Sequence, residues 1–271
     1  MQDVPAEVLR LAEDLNSYMP QRKGDRRLES TRYVISMTEQ PGPHATVVQR
    51  LRLAPDEVED VVAEVRAFLR REGRAEATWE IGNSATPGDL YQRLQRLGMV
   101  PFEQAPHTTG MVFTASADVP PEWSRELPGV TVTLVERDDR AGFRRAQQVF
   151  WACFGFQPET DADTILDKDA VCYACSPQWL RFVAWQDGEP LAVGDAALTP
   201  AGVVLCGGAT LPAHRGRGLY RVLLAARLRE ALRRGTPRLI TQAGRMSQPI
   251  LARLGFRAVA SNDILYDRQA L

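Results

Sequence analysis

The sequence predicts an α/β protein built from mixed sheets, and three observations lead to this prediction. Short apolar stretches typical of strands alternate with amphipathic stretches typical of helices along the chain. Both halves follow the same order of elements and both contain an Arg-Leu-Gly tripeptide, at residues 96–98 and 253–255. A stretch with three prolines and no apolar periodicity, residues 116–129, separates the halves.

The first half supplies the elements of one α/β unit. Residues 45–53 alternate as a strand does, and residues 56–72 place their apolar side chains on one helical face. A strand over 76–81, a helix over 89–97 and a strand over 107–114 follow. The apolar face of the first helix consists of Val58, Val61, Val62, Val65, Phe68 and Leu69.

The second half supplies a similar series. Residues 202–210 predict a buried strand, and the helix that begins at Leu219 is stopped by residues 235–237, which are Gly, Thr and Pro. A strand at 238–241, a short helix with Ser247 as its cap, and two short strands at 256–260 and 264–266 complete it.

These two series predict a diverged duplication. Its predicted limits are a degenerate domain over residues 1–117, a linker over 118–128 and a second domain over 129–271. Two unrelated α/β units remain the alternative, because a tripeptide can recur by chance.

Composition excludes several functional classes. The 271 residues are 44% hydrophobic and 25% charged with a net charge of -1, as in a globular protein and unlike a disordered or collagen-like chain. Near-neutral charge gives no general attraction to nucleic acid or to an anionic membrane. No run of 18 apolar residues occurs, and the first residues lack the features of a secretory signal. We therefore predict a cytoplasmic protein with neither nucleic-acid nor membrane partners.

The four cysteines do not suggest a disulfide scaffold or a metal site. A chain of this length with Cys153, Cys172, Cys175 and Cys206 is not disulfide-dense. Cys172 and Cys175 have CxxC spacing, but a tetrahedral zinc site needs two further ligands and no second pair is near. We predict no metal.

The loop between the strand at 202–210 and the following helix carries the main chemical signal. It contains Arg215, Gly216, Arg217 and Gly218 just before the helix. Backbone N–H groups at a helix start lack intrahelical partners, and the positive end of the helix dipole favours an anion such as a diphosphate. Glycines let the backbone approach that anion closely. A dinucleotide fingerprint is excluded because it needs glycine where Arg221 stands.

The alternative is that these glycines only turn the chain and that the arginines are solvated. The local pattern by itself does not decide between an anion site and this structural role. A third reading, a nucleotide at the Arg-Gly loop, would predict competition by ATP.

Beyond the loop, the order of elements resembles the GNAT superfamily of acyl-CoA-dependent N-acyltransferases. The family's loop has Arg or Gln, two residues, Gly, one residue, and Gly or Ala, which aligns with Arg215, Gly218 and Tyr220. Residues 254–256, Leu-Gly-Phe, match a later family element. The resemblance covers about residues 129–271, and residues 45–114 resemble a degenerate second copy.

The resemblance implies a twisted mixed sheet in each copy, flanked by helices, with acyl-CoA where the fourth and fifth strands splay apart. It implies that the strand at 202–210 lies beside the pantetheine arm and the thioester, and Gly208 and Thr210, which share one strand face, are the candidates there. The implied reaction moves an acetyl group from acetyl-CoA to a primary amine of a small molecule. The implied diphosphate-binding residues are Arg215, Gly216, Arg217, Gly218, Leu219, Tyr220 and Arg221.

Two departures from the family pattern bear on catalysis. Tyr220 stands where Gly or Ala is usual, so its side chain must point away from the diphosphate. Leu251 stands where many members carry a tyrosine that protonates the departing thiolate, and leucine cannot donate a proton. Either another group or water serves, or turnover is weak. The alternative function, which Leu251 motivates, is a non-catalytic acyl-CoA-binding sensor or scaffold.

The first half departs further. Residues 53–60, before its helix, contain four carboxylates and no glycine, and these would repel a diphosphate. We expect this copy to bind no CoA and to shape the acceptor site instead.

No catalytic base is evident from the sequence. Asp195 lies in the middle of a predicted strand and is a candidate base, acceptor ligand or solvent-facing residue. Five acidic residues follow Phe156 and would suit a cationic acceptor such as a polyamine, or they form a solvated loop. They are Glu159, Asp161, Asp163, Asp167 and Asp169. The sequence leaves the acceptor, the acyl length and the oligomeric state open.

Overall fold

A computed structural model describes residues 4–39, 44–158 and 161–268. Its helices are α1 (Ala6–Glu13), α2 (Leu15–Tyr18), α3 (Val58–Arg71), α4 (Leu90–Arg96), α5 (Pro121–Ser124), α6 (Arg140–Phe154), α7 (Ala162–Ala174), α8 (Leu219–Arg233) and α9 (Gln248–Arg253). Its strands are β1 (Arg26–Glu29), β2 (Val34–Met37), β3 (Thr46–Gln49), β4 (Ala77–Gly82), β5 (Val100–Pro101), β6 (His107–Thr114), β7 (Val130–Leu134), β8 (Trp179–Gln186), β9 (Glu189–Thr199), β10 (Gly202–Thr210), β11 (Arg238–Ala243) and β12 (Arg257–Asp267).

The chain divides into two compact units. Unit 1 comprises Met1–Val112 and Thr241–Leu271, and unit 2 comprises Phe113–Ile240. In each unit strands pair with strands while helices cover them, so the predicted α/β class with mixed sheets is confirmed.

Unit 1 holds strands in the order β1-β2-β3-β4-β12-β6, with β5 also paired to β12. The pair β3–β4 is parallel, whereas the other pairs are antiparallel. Helix α3 buries its apolar face against this sheet, because Val58, Val61, Val65 and Leu69 repeat at helical spacing and all lie in one core with Trp79. The predicted helix over 56–72 is therefore confirmed, two residues shorter at its start.

Unit 2 holds strands in the order β11-β10-β9-β8-β7. Only β10–β11 is parallel, through Val203↔Leu239 and Val204↔Ile240. The other pairs are antiparallel, which makes this sheet mixed as well. Helices α6 and α7 pack on one face, where Phe143 of α6 and Tyr173 of α7 share a core with Val183 and Val193.

Helix α8 covers the opposite face of the unit 2 sheet. The side of β9 that bears Gly194 faces Arg227 of α8, whereas the adjacent Val193 lies in the core under α6. Successive strand residues point to opposite faces, so the two helices flank the sheet. The strand at 202–210 and the helix that begins at Leu219 stand where the sequence predicts them.

Three features differ from the sequence-based expectations. Residues 118–128, the predicted linker, contain the short helix α5, whose Trp123 is fully buried, and they belong to unit 2. The two short strands expected at 256–260 and 264–266 form one strand, β12, with a bulge between Ala258 and Ala260. Ser247 stands at the start of α9 without a side-chain capping bond.

The predicted second domain, residues 129–271, also differs from the compact units at its C-terminal end. Residues 241–271 belong to unit 1, because β12 pairs antiparallel with β4 over six residue pairs, from Asn262↔Gly82 to Asp267↔Ala77. The polar sequence Ser261-Asn262-Asp263 suggests a turn, yet it is held in extended form by partners on both sides. The limits of the duplication itself stay a prediction.

No helix in the described ranges is both long enough and apolar enough to cross a membrane.

Candidate active site

The end of β10 is the first component of the site. A register shift between Cys206 and Gly208 marks a bulge, and Gly207 has a φ of +76°. A Cβ at Gly207 would lie 2.9 Å from the ring of Phe150 on α6. Both Gly207 and Gly208 are exposed, although most of the strand before them is buried. The bulge therefore opens a small exposed surface in an otherwise buried strand.

This bulge is not among the features predicted from the sequence. A glycine inside a strand pattern is a recognised signal for one, and two adjacent glycines stand here. The exposed glycines agree with an opening beside β10, whereas the splay that the family resemblance implies stays a prediction.

The loop after β10 is the second component. Residues Pro212–His214 form one 3₁₀ turn, and glycines with φ of +77° (Gly216) and +88° (Gly218) lead the chain into α8. The first helical hydrogen bond runs from the Val222 N–H to the Gly218 carbonyl. In the part of the chain that the structure describes, the six backbone N–H groups of residues 216–221 donate to no protein acceptor. We call these six groups the N–H cradle.

The arginines around the N–H cradle differ in their surroundings. Arg217 contacts His214 Nδ1 and donates to Gln186 Oε1, both at 2.7 Å, so its head is held at the rim of the loop. Arg215 donates from Nε to the Thr210 carbonyl at 3.3 Å and is exposed. Arg221 instead donates to backbone carbonyls at α5, which leaves only its backbone N–H toward the loop.

Tyr220 points away from the N–H cradle, as its place in the loop requires. Its ring lies over β10, where a Cβ at Gly208 would be 3.1 Å from the Tyr220 Cε2 atom. Burial raises the pKa of the Tyr220 hydroxyl, while the charge of Arg227 lowers it. Tyr220 therefore flanks the exposed end of β10 on the side of α8.

Asp195 is neither solvent-facing nor available as a simple base. Its two carboxylate oxygens accept from Arg181 Nε and Nη2 at 2.8 and 2.6 Å. Arg181 is buried, donates also to Gln147 Oε1 at 2.6 Å, and lies 4.5 Å from the centre of the Phe143 ring. A bidentate pair in this setting fixes the carboxylate and neutralises its charge. We assign Asp195 a structural role in the middle of β9.

The acidic segment after Phe156 is largely engaged within the chain. Asp163 and Asp167 both pair with Arg144, and Asp161 caps α7 by accepting from the Asp163 N–H at 3.0 Å. Glu159 lies outside the described residues. These pairings weaken the argument for a polycationic acceptor. An exposed aromatic residue, Phe154, stands nearby instead, with 60% of its surface accessible and its ring 4.5 Å from that of Phe150.

Leu251 belongs to the core of unit 1. It is 1% exposed within α9, and its carbonyl accepts from the Phe256 N–H at 3.0 Å. Its side chain supplies packing and cannot supply a proton.

Unit 1 repeats the local plan of strand, helix and parallel strand without a cradle. Strands β3 and β4 pair in parallel through Val47↔Thr78 and Val48↔Trp79, as β10 and β11 do in unit 2. The next residue of each strand is polar and buried, and Gln49 donates from Nε2 to Glu80. The Ser17 N–H of α2 donates to Gln49 Oε1 at 3.1 Å. Side chains and backbone of the chain itself thus fill the space between β3 and β4 beyond their last paired residues.

The surroundings of two carboxyl groups in this part of unit 1 raise their pKa values. Burial, with a smaller effect from Asp14, raises the pKa of Glu80 to about 7. Burial, with a smaller effect from Glu13, raises the pKa of Asp14 to about 6. The first turn of α3 adds Glu59 and Asp60 and has no glycine. That unit 1 binds no CoA stays a prediction, now with a packing reason beside the electrostatic one.

None of the four cysteines, all of which lie in the described ranges, forms a disulfide. Within the described ranges, no three His, Cys, Asp or Glu side chains are grouped as metal ligands would be.

Comparisons with known proteins agree with this geometry. Residues 143–256 match the family model described as acetyltransferase (GNAT) family. A GCN5-related N-acetyltransferase from Kribbella flavida is 19% identical with a TM-score of 0.68, over 96% of this chain and 95% of that one. A tandem GNAT protein from the clavulanic acid biosynthesis pathway, in a structure without acetyl-CoA, is 14% identical with a TM-score of 0.61, over 98% and 89%.

A functionally unknown conserved protein from Staphylococcus epidermidis is similar to the same extent, at 16% identity and a TM-score of 0.66 over 92% of this chain and 95% of that one. No curated protein sequence matches the chain.

The fold and the site thus define an α/β protein with a group of backbone N–H donors at the start of a helix and an exposed strand end beside it. Residues 143–256 match the GNAT acetyltransferase family model, and the fold is similar to that of a tandem GNAT protein over nearly the whole chain.

Proposed function

We propose that the protein transfers an acetyl group from acetyl-CoA to a primary amine of a small molecule in the cytoplasm. The observation that carries this proposal is the N–H cradle: six consecutive backbone N–H groups that have no protein acceptor among the described residues, next to an exposed strand end. The match of residues 143–256 to the acetyltransferase (GNAT) family model supports the same chemistry.

The N–H cradle suits a diphosphate in both geometry and charge. Three of the six donors precede a 15-residue helix and three lie in its first turn, so they can offer hydrogen bonds to several phosphate oxygens, and the helix dipole adds partial positive charge. Gly216 leaves room for the anion, because nothing lies within 4 Å of the position that its Cβ would take. The exposed guanidinium of Arg215 adds charge at the same rim.

The exposed end of β10 supports the position of the thioester. A pantetheine arm that leaves the N–H cradle and follows β10 backwards passes Thr210 and then Gly208, in the order of the strand. At the bulge the backbone is accessible and no Cβ stands in the way at Gly207 or Gly208. There an amine nitrogen can attack the thioester carbonyl, and hydrogen bonds to the carbonyl oxygen would stabilise the charge that develops.

Titration of the full chain with acetyl-CoA by calorimetry tests the binding half of this proposal. We expect one site per chain, without competition by ATP at similar concentrations. Two sites would show that the filled space in unit 1 also admits CoA. Displacement by ATP would point to a nucleotide site, and an absence of binding would contradict the proposed function.

Release of CoA thiol across a panel of primary amines tests the catalytic half. The panel should include aromatic and aliphatic monoamines as well as polyamines, because Phe154 is exposed while Asp163 and Asp167 are paired. Turnover that depends on the amine supports the transferase.

A second candidate function is a non-catalytic acyl-CoA sensor, which the buried Leu251 favours. It predicts tight binding of acetyl-CoA with no thiol release above the rate of buffer hydrolysis for any amine in the panel.

A further inference from the structure

Two glycines lie opposite each other in unit 2, and each is covered by a side chain from α8. Gly194 of β9 pairs with Gly208 of β10 in the antiparallel register. A Cβ at Gly194 would lie 2.9 Å from the Arg227 Cζ atom, and one at Gly208 would lie 3.1 Å from the Tyr220 ring. Positions paired in this way are about 5 Å apart on the same sheet face. The guanidinium and the phenol ring therefore lie side by side.

Arg227 is a buried cation without a carboxylate partner in the described structure. It is 1% exposed, and its hydrogen bonds go to two backbone carbonyls, those of Leu223 at 3.0 Å and Asp195 at 3.3 Å. Its Nη2 atom is buried and has no partner among the described residues. The nearest carboxylate on β9, that of Asp195, is engaged by Arg181. A buried guanidinium without an anionic partner lowers the stability of the fold, unless a neighbouring group can carry a negative charge beside it.

Tyr220 is placed to be that group. It lies seven residues before Arg227, which is two turns along the same face of α8, and arginine side chains on a helix lean toward its start. The Tyr220 hydroxyl donates to no protein atom within the described ranges, and it is not enclosed, since it is absent from the buried unpartnered atoms. It faces the exposed end of β10, over Gly208.

We propose that Tyr220 is the proton donor to the CoA thiolate and that Arg227 is the residue that stabilises Tyr220 after it has given its proton. This inference rests on the proposed function. It assigns the role that Leu251 cannot fill to a residue at a different place in the chain.

The step balances as follows. The amine nitrogen forms a bond to the thioester carbon, the C–S bond breaks, and the sulfur keeps its electron pair. The sulfur takes the proton from Tyr220 Oη, which leaves a tyrosinate beside Arg227. The new amide nitrogen carries the amine's extra proton, and its release through water restores the Tyr220 hydroxyl. The products are the acetylated amine and CoA thiol.

The charged and titratable groups around Tyr220 come from three elements. Arg227 lies on the same helix, Asp195 on β9 and Cys206 on β10. Arg227 interacts electrostatically with Tyr220, Asp195 and Cys206. The raised pKa of Tyr220 keeps the hydroxyl protonated at neutral pH, as an acid requires. Asp195 is neutralised by Arg181, so the field at Tyr220 comes chiefly from Arg227.

Titration of the thiol of CoA bound to the full chain tests the proposal without any amine acceptor. The thiolate absorbs in the ultraviolet, so its pKa can be read in the complex. We expect Tyr220→Phe, which keeps the ring and removes the hydroxyl, to raise the pKa of the bound thiol by about one to two pH units, as for loss of a hydrogen bond to a charged group. Arg227→Met should raise it in the same direction, and Arg227→Lys should restore part of the difference.

Turnover supplies a second readout once an acceptor is found. We expect Tyr220→Phe to lower kcat about 100-fold or more with little change in the Kd for acetyl-CoA, and to abolish the fall in kcat at alkaline pH. Tyr173→Phe is the matched control, because the Tyr173 hydroxyl donates to the Val135 carbonyl and serves packing. It should lower thermal stability and leave both the bound thiol pKa and the alkaline limb unchanged.

Three outcomes would overturn the assignment. An unchanged thiol pKa in Tyr220→Phe would show that the hydroxyl does not reach the sulfur. Loss of acetyl-CoA binding in Tyr220→Phe would make the residue a wall of the binding site and not an acid. Tighter binding in Tyr220→Ala would show that the ring obstructs the arm. Failure of the wild type to bind acetyl-CoA would instead remove the proposed function, and this inference with it.

Discussion

Gly216 and Gly235 flank α8 with nearly the same backbone conformation, at φ of +77° and +71°, and both would place a Cβ in open space. They differ in what surrounds them. Gly216 opens the N–H cradle at the positive end of the helix, whereas Gly235 follows its last turn. The two glycines therefore form a matched pair in which backbone strain is equal and only the anion site differs.

Glutamate at each of these positions separates binding from strain. We expect Gly216→Glu to weaken acetyl-CoA binding about 10- to 100-fold, since a carboxylate beside the diphosphate costs roughly 1.4 to 2.7 kcal/mol at a partly screened site. Gly235→Glu should lose similar stability and bind acetyl-CoA as the wild type does. Calorimetric titration gives both values, and equal affinities in the two variants would contradict the cradle.

The bulge at Gly207 offers a second matched pair. Gly207→Ala should lower the free energy of unfolding in two ways. The positive φ costs an alanine about 1 kcal/mol, and overpacking against the Phe150 ring costs about 1 to 3 kcal/mol more. Gly188→Ala, at φ +78° with nothing within 4 Å, has only the first of these costs. We expect Gly207→Ala also to lower thiol release. Adding Phe150→Leu should recover part of both losses, and no recovery would argue against the contact as their cause.

The Asp195–Arg181 pair should behave as a structural pair. Asp195→Ala leaves a buried guanidinium without its carboxylate, and we expect it to lower the free energy of unfolding by about 3 to 5 kcal/mol. The double variant Asp195→Ala with Arg181→Met should be less destabilised than the sum of the single changes. Denaturant unfolding of all four proteins measures the coupling. A stable Asp195→Ala that loses only the acidic limb of the pH–rate profile would make Asp195 the base after all.

Glu80 should make unit 1 less stable as the pH rises. Its pKa is raised from 4.5 to about 7 in the folded chain, so between these values the folded chain holds a proton that the unfolded chain has released. The stabilisation is complete below about pH 4.5 and is lost as the pH passes 7, with an upper size of about 3 kcal/mol. Asp14, raised to about 6, acts in the same direction.

Thermal unfolding between pH 5 and pH 8 measures this effect. We expect the Tm of the wild type to fall as the pH rises. Glu80→Gln should flatten the dependence of Tm on pH, because its amide does not titrate and its oxygen can still accept from Gln49. Glu103→Gln, at an exposed carboxylate of the same unit, should keep the wild-type slope. The same slope in all three proteins would show that Glu80 titrates normally.

Local sequence patterns specify the order of the elements and the chemistry of the loop. The strand at 202–210, the helix from Leu219 and the helix over 58–71 follow from apolar periodicity and from glycine and proline at their ends, which are local properties of the chain. The glycines of the N–H cradle and the direction of the Tyr220 side chain can likewise be predicted from the local sequence. The bulge was also within reach of the sequence, since two glycines stand together in the strand.

Long-range packing specifies which side chains contact one another. The Arg181–Asp195 pair, the Arg227 and Tyr220 side chains over paired glycines, and the Gln49–Glu80 contact join residues whose strand register and helix face are set by packing. The pairing of β12 with β4 brings together residues that are far apart in the chain, and no local pattern encodes such a partner. Hydrophobic periodicity specifies which face of an element is buried. Which residue packs against that face depends on the fold of the whole chain. The roles assigned to Tyr220 as the acid and to Asp195 as a structural carboxylate depend on these neighbours.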